Sequence, residues 1–187
     1  MGLDMYFMTK RKMRDNNGNE IDVDFRTAEA VDDIVSWREY RKSHPECSFE
    51  QWAGVELPEP DVIDFYEKYQ VKIVGSVRKA NHIHGWIVEN VQYGFDDQES
   101  YKFERFLIEI LLGKCNIIVK MYNRIDDEID RAKFCESILP VTEGFFFGSY
   151  DYDQLYYDLT VKTASILKKI MEETDFDNEE VFYQASW

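Results

Sequence analysis

The chain has few of the residues that build disulfide-bonded or metal-bonded small domains. It contains only 3 cysteines, 4 prolines and 9 glycines among its 187 residues. Cys47, Cys115 and Cys135 form no Cys-x-x-Cys pair, and their number is odd, so a disulfide framework or a zinc knuckle has no support. The scarcity of proline and glycine, without any low-complexity tract, argues against disorder. We therefore expect a folded protein in a reducing cytosol.

Long apolar runs and familiar catalytic motifs are also missing. No run approaches the roughly 20 apolar residues that span a bilayer. The first residues, Met-Gly-Leu-Asp-Met-Tyr, lack the basic and apolar regions of a signal peptide. The sequence has no GxSxG, HExxH, DxDxDG or protein-kinase motif. We therefore predict a protein that is not an enzyme, uses no cofactor or metal, and has no membrane partner.

Positive charge is scarce as well. The formal net charge is −15, from 37 acidic and 22 basic residues, so a DNA or RNA duplex would be repelled. What the chain does have is aromatic residues, with 13 Phe, 12 Tyr and 4 Trp in a composition that is 44% hydrophobic. This supports a sizeable aromatic core. The length fits one domain covering residues 1–187.

Hydrophobic periodicity predicts an α+β fold, mainly helical, with a small antiparallel sheet. Residues 3–25 read as a hairpin around the turn at 15–19, and residues 180–187 read as a strand that pairs with it. Helices are predicted over 77–92, within 101–122, over 126–138, and from Asp151 or Asp153 to about Glu173. Further helices are expected between 27 and 69.

The basic residues cluster in two acid-free stretches. No acid lies between Glu67 and Glu89, or from Met5 to Arg14. A cationic island on an acidic body would attract small anions and repel long polyanions. The alternative is that these windows arise by chance and the lysine stems cover apolar surface.

Each of two local motifs has a structural and a functional interpretation. His82-x-His84 could suggest a metal, but residues two apart on a helix do not face each other, so we expect His84 in the core and His82 on the polar side. The Gly144-Phe-Phe-Phe-Gly148 segment reads as a core plug, at least for two of its rings. In the functional interpretation, one ring forms a stacking wall with Tyr150 or Tyr152, while Ser149 and the N-terminus of the following helix face an anion.

Four segments carry a resemblance to a known family. They are GLDMYF at 2–7, VRKANHIHGWIVENVQ at 77–92, GFFFGSYDYDQLYYDL at 144–159, and the closing FYQASW. The chain resembles a family of small phage-encoded and prophage-encoded proteins with GLDMYL, WRKANxIHxWF and GFFFGS motifs. Val77 and Ile87 depart from the aromatic residues of that pattern. The resemblance implies a counter-defence role, as in the anti-CBASS sponges that capture cyclic dinucleotides, are usually oligomers and act in the cytoplasm of the bacterial host.

The resulting hypothesis is a homo-oligomeric protein that sequesters a cyclic dinucleotide without cleaving it. The candidate ligand-binding residues are of three kinds: cationic or polar contacts, stacking rings, and basic residues that would close the pocket. They are Arg78, Lys79, Asn81, His82 and Ser149, then Trp86, Phe146 and Tyr150, then Lys10 and Arg11. One alternative is an acidic inhibitor of a host protein, acting through Asp22, Asp24, Asp32, Asp33 and residues 126–130. The other is a nucleotide-processing enzyme.

Overall fold

A computed structural model describes residues 2–14, 20–21, 72–144 and 147–187. By contacts between Cα atoms, the chain divides into two compact units, one formed by Met1–Thr9 with Ile73–Trp187 and the other by Lys10–Lys72. The predicted helices between 27 and 69 and the acidic residues at 22–33 lie outside the described residues. The single domain over 1–187 stays a prediction.

The described residues contain six strands and four α-helices. The strands are β1 (Asp4–Arg11), β2 (Met13–Arg14), β3 (Glu20–Ile21), β4 (Lys72–Arg78), β5 (Tyr101–Lys102) and β6 (Glu179–Ser186). The helices are α1 (Asn81–Asn90), α2 (Arg105–Met121), α3 (Glu128–Ile138) and α4 (Gln154–Glu173), with a 3-10 turn at Tyr122–Arg124. The predicted α+β class is confirmed.

The main sheet is antiparallel and four-stranded, in the order β4-β1-β6-β5. Strand β1 alternates buried and half-buried residues, and its Phe7 ring lies 5.4 Å from that of Tyr183 on β6. The N-terminal and C-terminal strands are therefore neighbours, as the sequence predicted. The described part of the predicted second arm, β3, pairs antiparallel with β2 in a separate two-stranded ladder, with Met13 opposite Ile21. These two strands flank residues 15–19, where the sequence predicted the hairpin turn.

The predicted helix over 77–92 begins too early. Residues 72–78 form a strand, and Val77 is buried within it. Lys79 then takes a left-handed conformation with φ 61°, which interrupts any regular helix or strand, and the helix begins only at Asn81. The apolar spacing of Val77, Ala80 and Ile83 suggested one helical face, although the chain changes element between them.

The other helices begin and end close to the predicted residues. Asp127 caps α3, accepting hydrogen bonds from the backbone N–H groups of Ile129 and Asp130. Asp153 caps α4 by accepting from the N–H of Tyr156. Each cap satisfies N–H groups that lack a partner within the helix. No helix in the described ranges is long and apolar enough to cross a membrane.

Candidate ligand-binding cleft

The segment between α3 and α4 is fastened to the start of α1. The Asn81 side chain donates from Nδ2 to the carbonyl oxygen of Ser149 at 2.8 Å and, more weakly, to that of Phe147 at 3.4 Å. Phe147 is buried and its ring meets the edge of the His84 ring at 5.2 Å. Phe147 is thus the predicted core plug. Phe145 and Phe146 lie outside the described residues.

Two left-handed residues meet at this junction. Gly148 has φ +102°, and a Cβ built on it would lie 3.1 Å from the Cβ of Lys79, whose own φ is 61°. The backbone N–H of Lys79 donates to the carbonyl oxygen of Leu3 at 2.8 Å. Glycine at 148 therefore allows the segment to approach Lys79 closely. A non-glycine residue held in this region stores some conformational strain.

Arg78 and Lys79 share one exposed surface. A Cβ built on Gly2 would lie 3.2 Å from Nη2 of Arg78 and 3.4 Å from Cε of Lys79, so both side chains run past Gly2. Arg78 Nε lies 3.5 Å from Asp4 Oδ1, and the Arg78 side chain is 59% exposed. A pair this exposed contributes little stability, which leaves the guanidinium accessible to an anion.

Four predicted site residues line one cleft beside this surface. Its cavity volume is about 10 Å³, enough for about one water molecule. The cleft is lined by Lys79, Asn81, His82 and Ser149 together with Asp151, Asp153, Leu155, Tyr156 and Leu159. The two aspartates make the cleft less cationic than predicted. Both are exposed: Asp153 caps α4, and Asp151 accepts a hydrogen bond from the Ser149 hydroxyl at 3.3 Å.

His82 is not on a polar, ligand-facing side as predicted. It is 2% exposed, and its Nε2 lies 2.9 Å from the hydroxyl oxygen of Thr160. That hydroxyl donates to the carbonyl oxygen of Tyr156, so Nε2 carries the proton and donates to Thr160. Burial lowers the pKa of His82 from 6.5 to about 3. The prediction was wrong because α4 covers the side of α1 opposite the sheet.

Asn81 also departs from its predicted role. It is 1% exposed and its amide is used within the protein, so it shapes the cleft and does not reach into it. The polar face assigned to α1 is therefore internal at Asn81 and His82, whereas Glu89 further along it is exposed. The first four residues of α1 are all buried, since both sides of the helix are covered.

His84 is the hydrogen-bonded core residue that the sequence predicted. Its Nδ1 lies 2.7 Å from the Tyr183 hydroxyl and its Nε2 lies 3.1 Å from Asp96 Oδ1. Burial lowers the pKa of His84, and the neighbouring Asp96 carboxylate opposes that shift. This chain of contacts connects α1 to β6.

The remaining predicted residues are dispersed. Trp86 is half-buried against the core. Tyr150 is 45% exposed, and its hydroxyl donates to the carbonyl oxygen of Gly144 at 3.0 Å. Lys10 and Arg11 end β1 and belong to the other unit, so their role in closing the pocket stays a prediction. The ring of Tyr150 is thus the one described stacking candidate with a large accessible surface beside Ser149.

Thiol and metal chemistry find no support in the described ranges. Burial raises the pKa of Cys115 to about 12 and that of Cys135 to about 11. Both groups are therefore protonated thiols at neutral pH. No three His, Cys, Asp or Glu side chains within the described residues are placed to hold a metal ion. Cys47 lies outside those residues.

Sequence reasoning missed the glycines that form the junction. The missing side chain of Gly148 leaves room for Lys79. A Cβ atom on Gly85 would lie only 1.8 Å from Oγ1 of Thr142 and would clash with it. The glycine at each end of GFFFG was visible in the sequence, but the residues that these glycines contact were not.

Comparisons with known proteins found no match: no family model, no curated protein and no solved structure is similar to this chain.

Proposed function

We propose that this protein binds and sequesters a cyclic dinucleotide immune signal without cleaving it, as a phage counter-defence protein in the bacterial host cytoplasm. The observation that carries the proposal is the exposed pair Arg78 and Lys79, fixed on one surface by a strained turn. Guanidinium and ammonium groups side by side suit a phosphodiester. The resemblance to phage-encoded proteins supplies the counter-defence context.

The exposed ring of Tyr150 and the carboxylate of Asp151 supply the contacts to a base. A tyrosine ring offers a stacking face, worth roughly 1–3 kcal/mol per base. A carboxylate accepts hydrogen bonds from the N–H groups on the edge of guanine, whereas it repels phosphate. We therefore place the phosphates over Arg78 and Lys79 and a base near Asp151.

The size of the cleft bears on how the ligand would be held. With room for about one water, the cleft of one chain does not enclose a dinucleotide. The ligand would lie across the exposed rim, and a second copy of the chain would cover its other side. A cyclic dinucleotide has two equivalent phosphates, which suits the two-fold symmetry of most protein dimers.

The test is a thermal-shift screen of the full chain against cyclic and linear nucleotides, followed by chromatography of the released ligand. A ligand present at about 100 times its Kd would raise Tm by roughly 5–10 °C. Recovery of the intact dinucleotide supports sequestration, and recovery of a cleaved product would make the protein an enzyme. No shift with any nucleotide would overturn the proposal.

Paired variants locate the site. Arg78→Gln with Lys79→Asn removes both charges, and asparagine tolerates the left-handed backbone at 79. The control, Lys168→Gln with Lys169→Gln, removes two exposed charges from α4. We expect at least about tenfold weaker binding in the first variant, from the loss of charge-assisted hydrogen bonds, and unchanged binding in the control.

A further inference from the structure

The loop that follows α1, residues 91–100, displays two aromatic rings outward. Tyr93 is 84% exposed, more than any other large hydrophobic side chain among the described residues. Phe95, two residues on, is 64% exposed. Neither ring contributes to the core, and exposed aromatic clusters of this kind mark interaction surfaces.

Hydrogen bonds hold the backbone of the loop in place, although its two rings do not pack in the core. The N–H of Gly94 donates to the carbonyl oxygen of Val88 at 2.8 Å, and the N–H of Phe95 donates to that of Gln92 at 2.9 Å. The Gln92 side chain, 1% exposed, returns a hydrogen bond from Nε2 to the carbonyl oxygen of Phe95 at 2.9 Å. The turn that carries both rings is therefore tied to the end of α1.

The far half of the loop is tied to the sheet. Gln184 on β6 donates from Nε2 to the carbonyl oxygen of Gln98 at 3.0 Å. Tyr101 on β5 donates its hydroxyl to Asp97 Oδ2 at 2.7 Å. Because both ends are fixed, little conformational entropy would be lost when a partner binds the rings.

The backbone is strained where the first ring emerges. Tyr93 has φ 56° and Gly94 has φ 84°, two consecutive left-handed residues. A bulky aromatic residue rarely takes this conformation. The Tyr93 ring points into solvent, so no burial of the ring offsets the cost of its strained backbone.

The charged residues next to the two rings in sequence are all acidic. No Lys or Arg occurs from residue 80 to residue 101, whereas Glu89, Asp96, Asp97 and Glu99 all lie in that stretch. Asp96 is partly engaged by His84, and Glu99 is exposed. Aromatic faces and carboxylates together attract a cation whose flat surface can stack on a ring.

We infer that the 91–100 loop is a docking surface for an arginine-rich segment of another protein. Arginine fits better than lysine, because its planar guanidinium stacks on aromatic rings while its N–H groups pair with carboxylates. This surface shares no residue with the proposed nucleotide site, so it would act as a second, independent contact.

The experiment measures fluorescence anisotropy of labelled arginine–glycine, lysine–glycine and glutamate–glycine repeat peptides with the full chain at about 0.15 M salt, where long-range attraction is screened. The test variant is Tyr93→Asn with Phe95→Ser, since asparagine accepts the left-handed backbone. The control is Phe106→Asn with Ile110→Ser, two exposed apolar residues on α2. Light scattering reports the mass of each protein.

We expect the arginine peptide to bind best, with roughly tenfold weaker binding in the test variant and unchanged binding in the control, from the loss of two cation–π contacts. Equal loss in both variants, or no binding of the arginine peptide, would overturn the inference. A lower mass in the test variant alone would also overturn it, because the rings would then join two copies of this chain.

Discussion

Asn81 Nδ2 lies 2.8 Å from the carbonyl oxygen of Ser149, and this hydrogen bond joins the first residue of α1 to the segment that precedes α4. The two residues are 68 positions apart in sequence. The contact fixes Ser149 beside Lys79 and so sets the shape of the proposed site. Its loss should affect both stability and binding.

Replacing Asn81 by alanine should lower the free energy of unfolding by about 1–3 kcal/mol, because the carbonyl oxygens of Ser149, in a part-buried contact, and Phe147, in a buried one, would lose their donor. Urea unfolding measures this change. The control is Asn90→Ala, since Asn90 is exposed and donates only to the carbonyl oxygen of Trp86 in its own helix. Equal effects of the two substitutions would show that Asn81 does not fasten the segment.

Two helical glycines should respond oppositely to alanine. A Cβ at Gly85 would lie 1.8 Å from Thr142 Oγ1 and 2.8 Å from Thr142 Cβ, whereas no atom of the described residues lies within 4 Å of one at Gly113. Gly113→Ala should stabilise by about 0.5–1 kcal/mol through helix propensity. Gly85→Ala should destabilise by roughly 1–3 kcal/mol through overpacking. Chemical denaturation tests both.

The Gly85 effect should depend on Thr142. In a double-mutant cycle, Thr142→Gly should remove most of the penalty of Gly85→Ala, because the colliding side chain is gone. If the effects of the two substitutions on unfolding free energy were additive, the penalty of Gly85→Ala would not come from Thr142.

Stability should fall with acidification through His82. Its pKa is about 3 in the folded protein and 6.5 unperturbed, so between these values the unfolded chain binds more protons. The stability contribution is complete above pH 6.5 and is lost as the pH falls toward 3. The difference in unfolding free energy between the native chain and His82→Gln should narrow as the pH falls below 6.5, with a slope that approaches about 1.4 kcal/mol per pH unit.

Urea titrations of both proteins from about pH 7 to about pH 5 measure this slope. Because the two unfolding free energies are subtracted at each pH, the contribution of carboxylates that both proteins share cancels. Parallel pH profiles for the two proteins would mean that His82 is accessible to protons in the folded state.

The thiols of Cys115 and Cys135 should resist alkylation. Both are buried, and their pKa values of about 12 and about 11 leave almost no thiolate at neutral pH. In a Cys47→Ser background, iodoacetamide should label neither in buffer and both in urea. Mass spectrometry counts the adducts, and rapid labelling without denaturant would contradict the described core.

Sequence patterns predicted the elements whose ends carry local signals. The predicted starts, at Asp126 and at Asp151 or Asp153, lie within two residues of the observed caps Asp127 and Asp153, and the strand predicted over 180–187 is β6. The start of α1 was missed because Val77 satisfies both a strand and a helix pattern, and Lys79 gives no sign of its left-handed backbone.

The site was predicted less well than the fold, for a related reason. Lys79 and Ser149, predicted for one site, do line the same cleft, whereas Asn81 and His82, assigned to a polar face, are buried. A helical pattern shows which residues share one face of a helix, but it does not show which other element packs against that face. Here Tyr156 and Thr160 of α4 pack against His82 of α1, and only the tertiary structure shows this contact.

The strand order β4-β1-β6-β5 has a consequence for biosynthesis. Strand β1 leaves the ribosome first, yet its neighbour β6 comprises residues Glu179–Ser186. The middle of the sheet therefore cannot close until nearly all 187 residues have been translated. Such distant pairing slows folding, and the edge of β1 that β6 occupies stays open in the nascent chain even after β4 on the other edge has been translated. A chaperone that holds the emerging N-terminal strand would act during that interval.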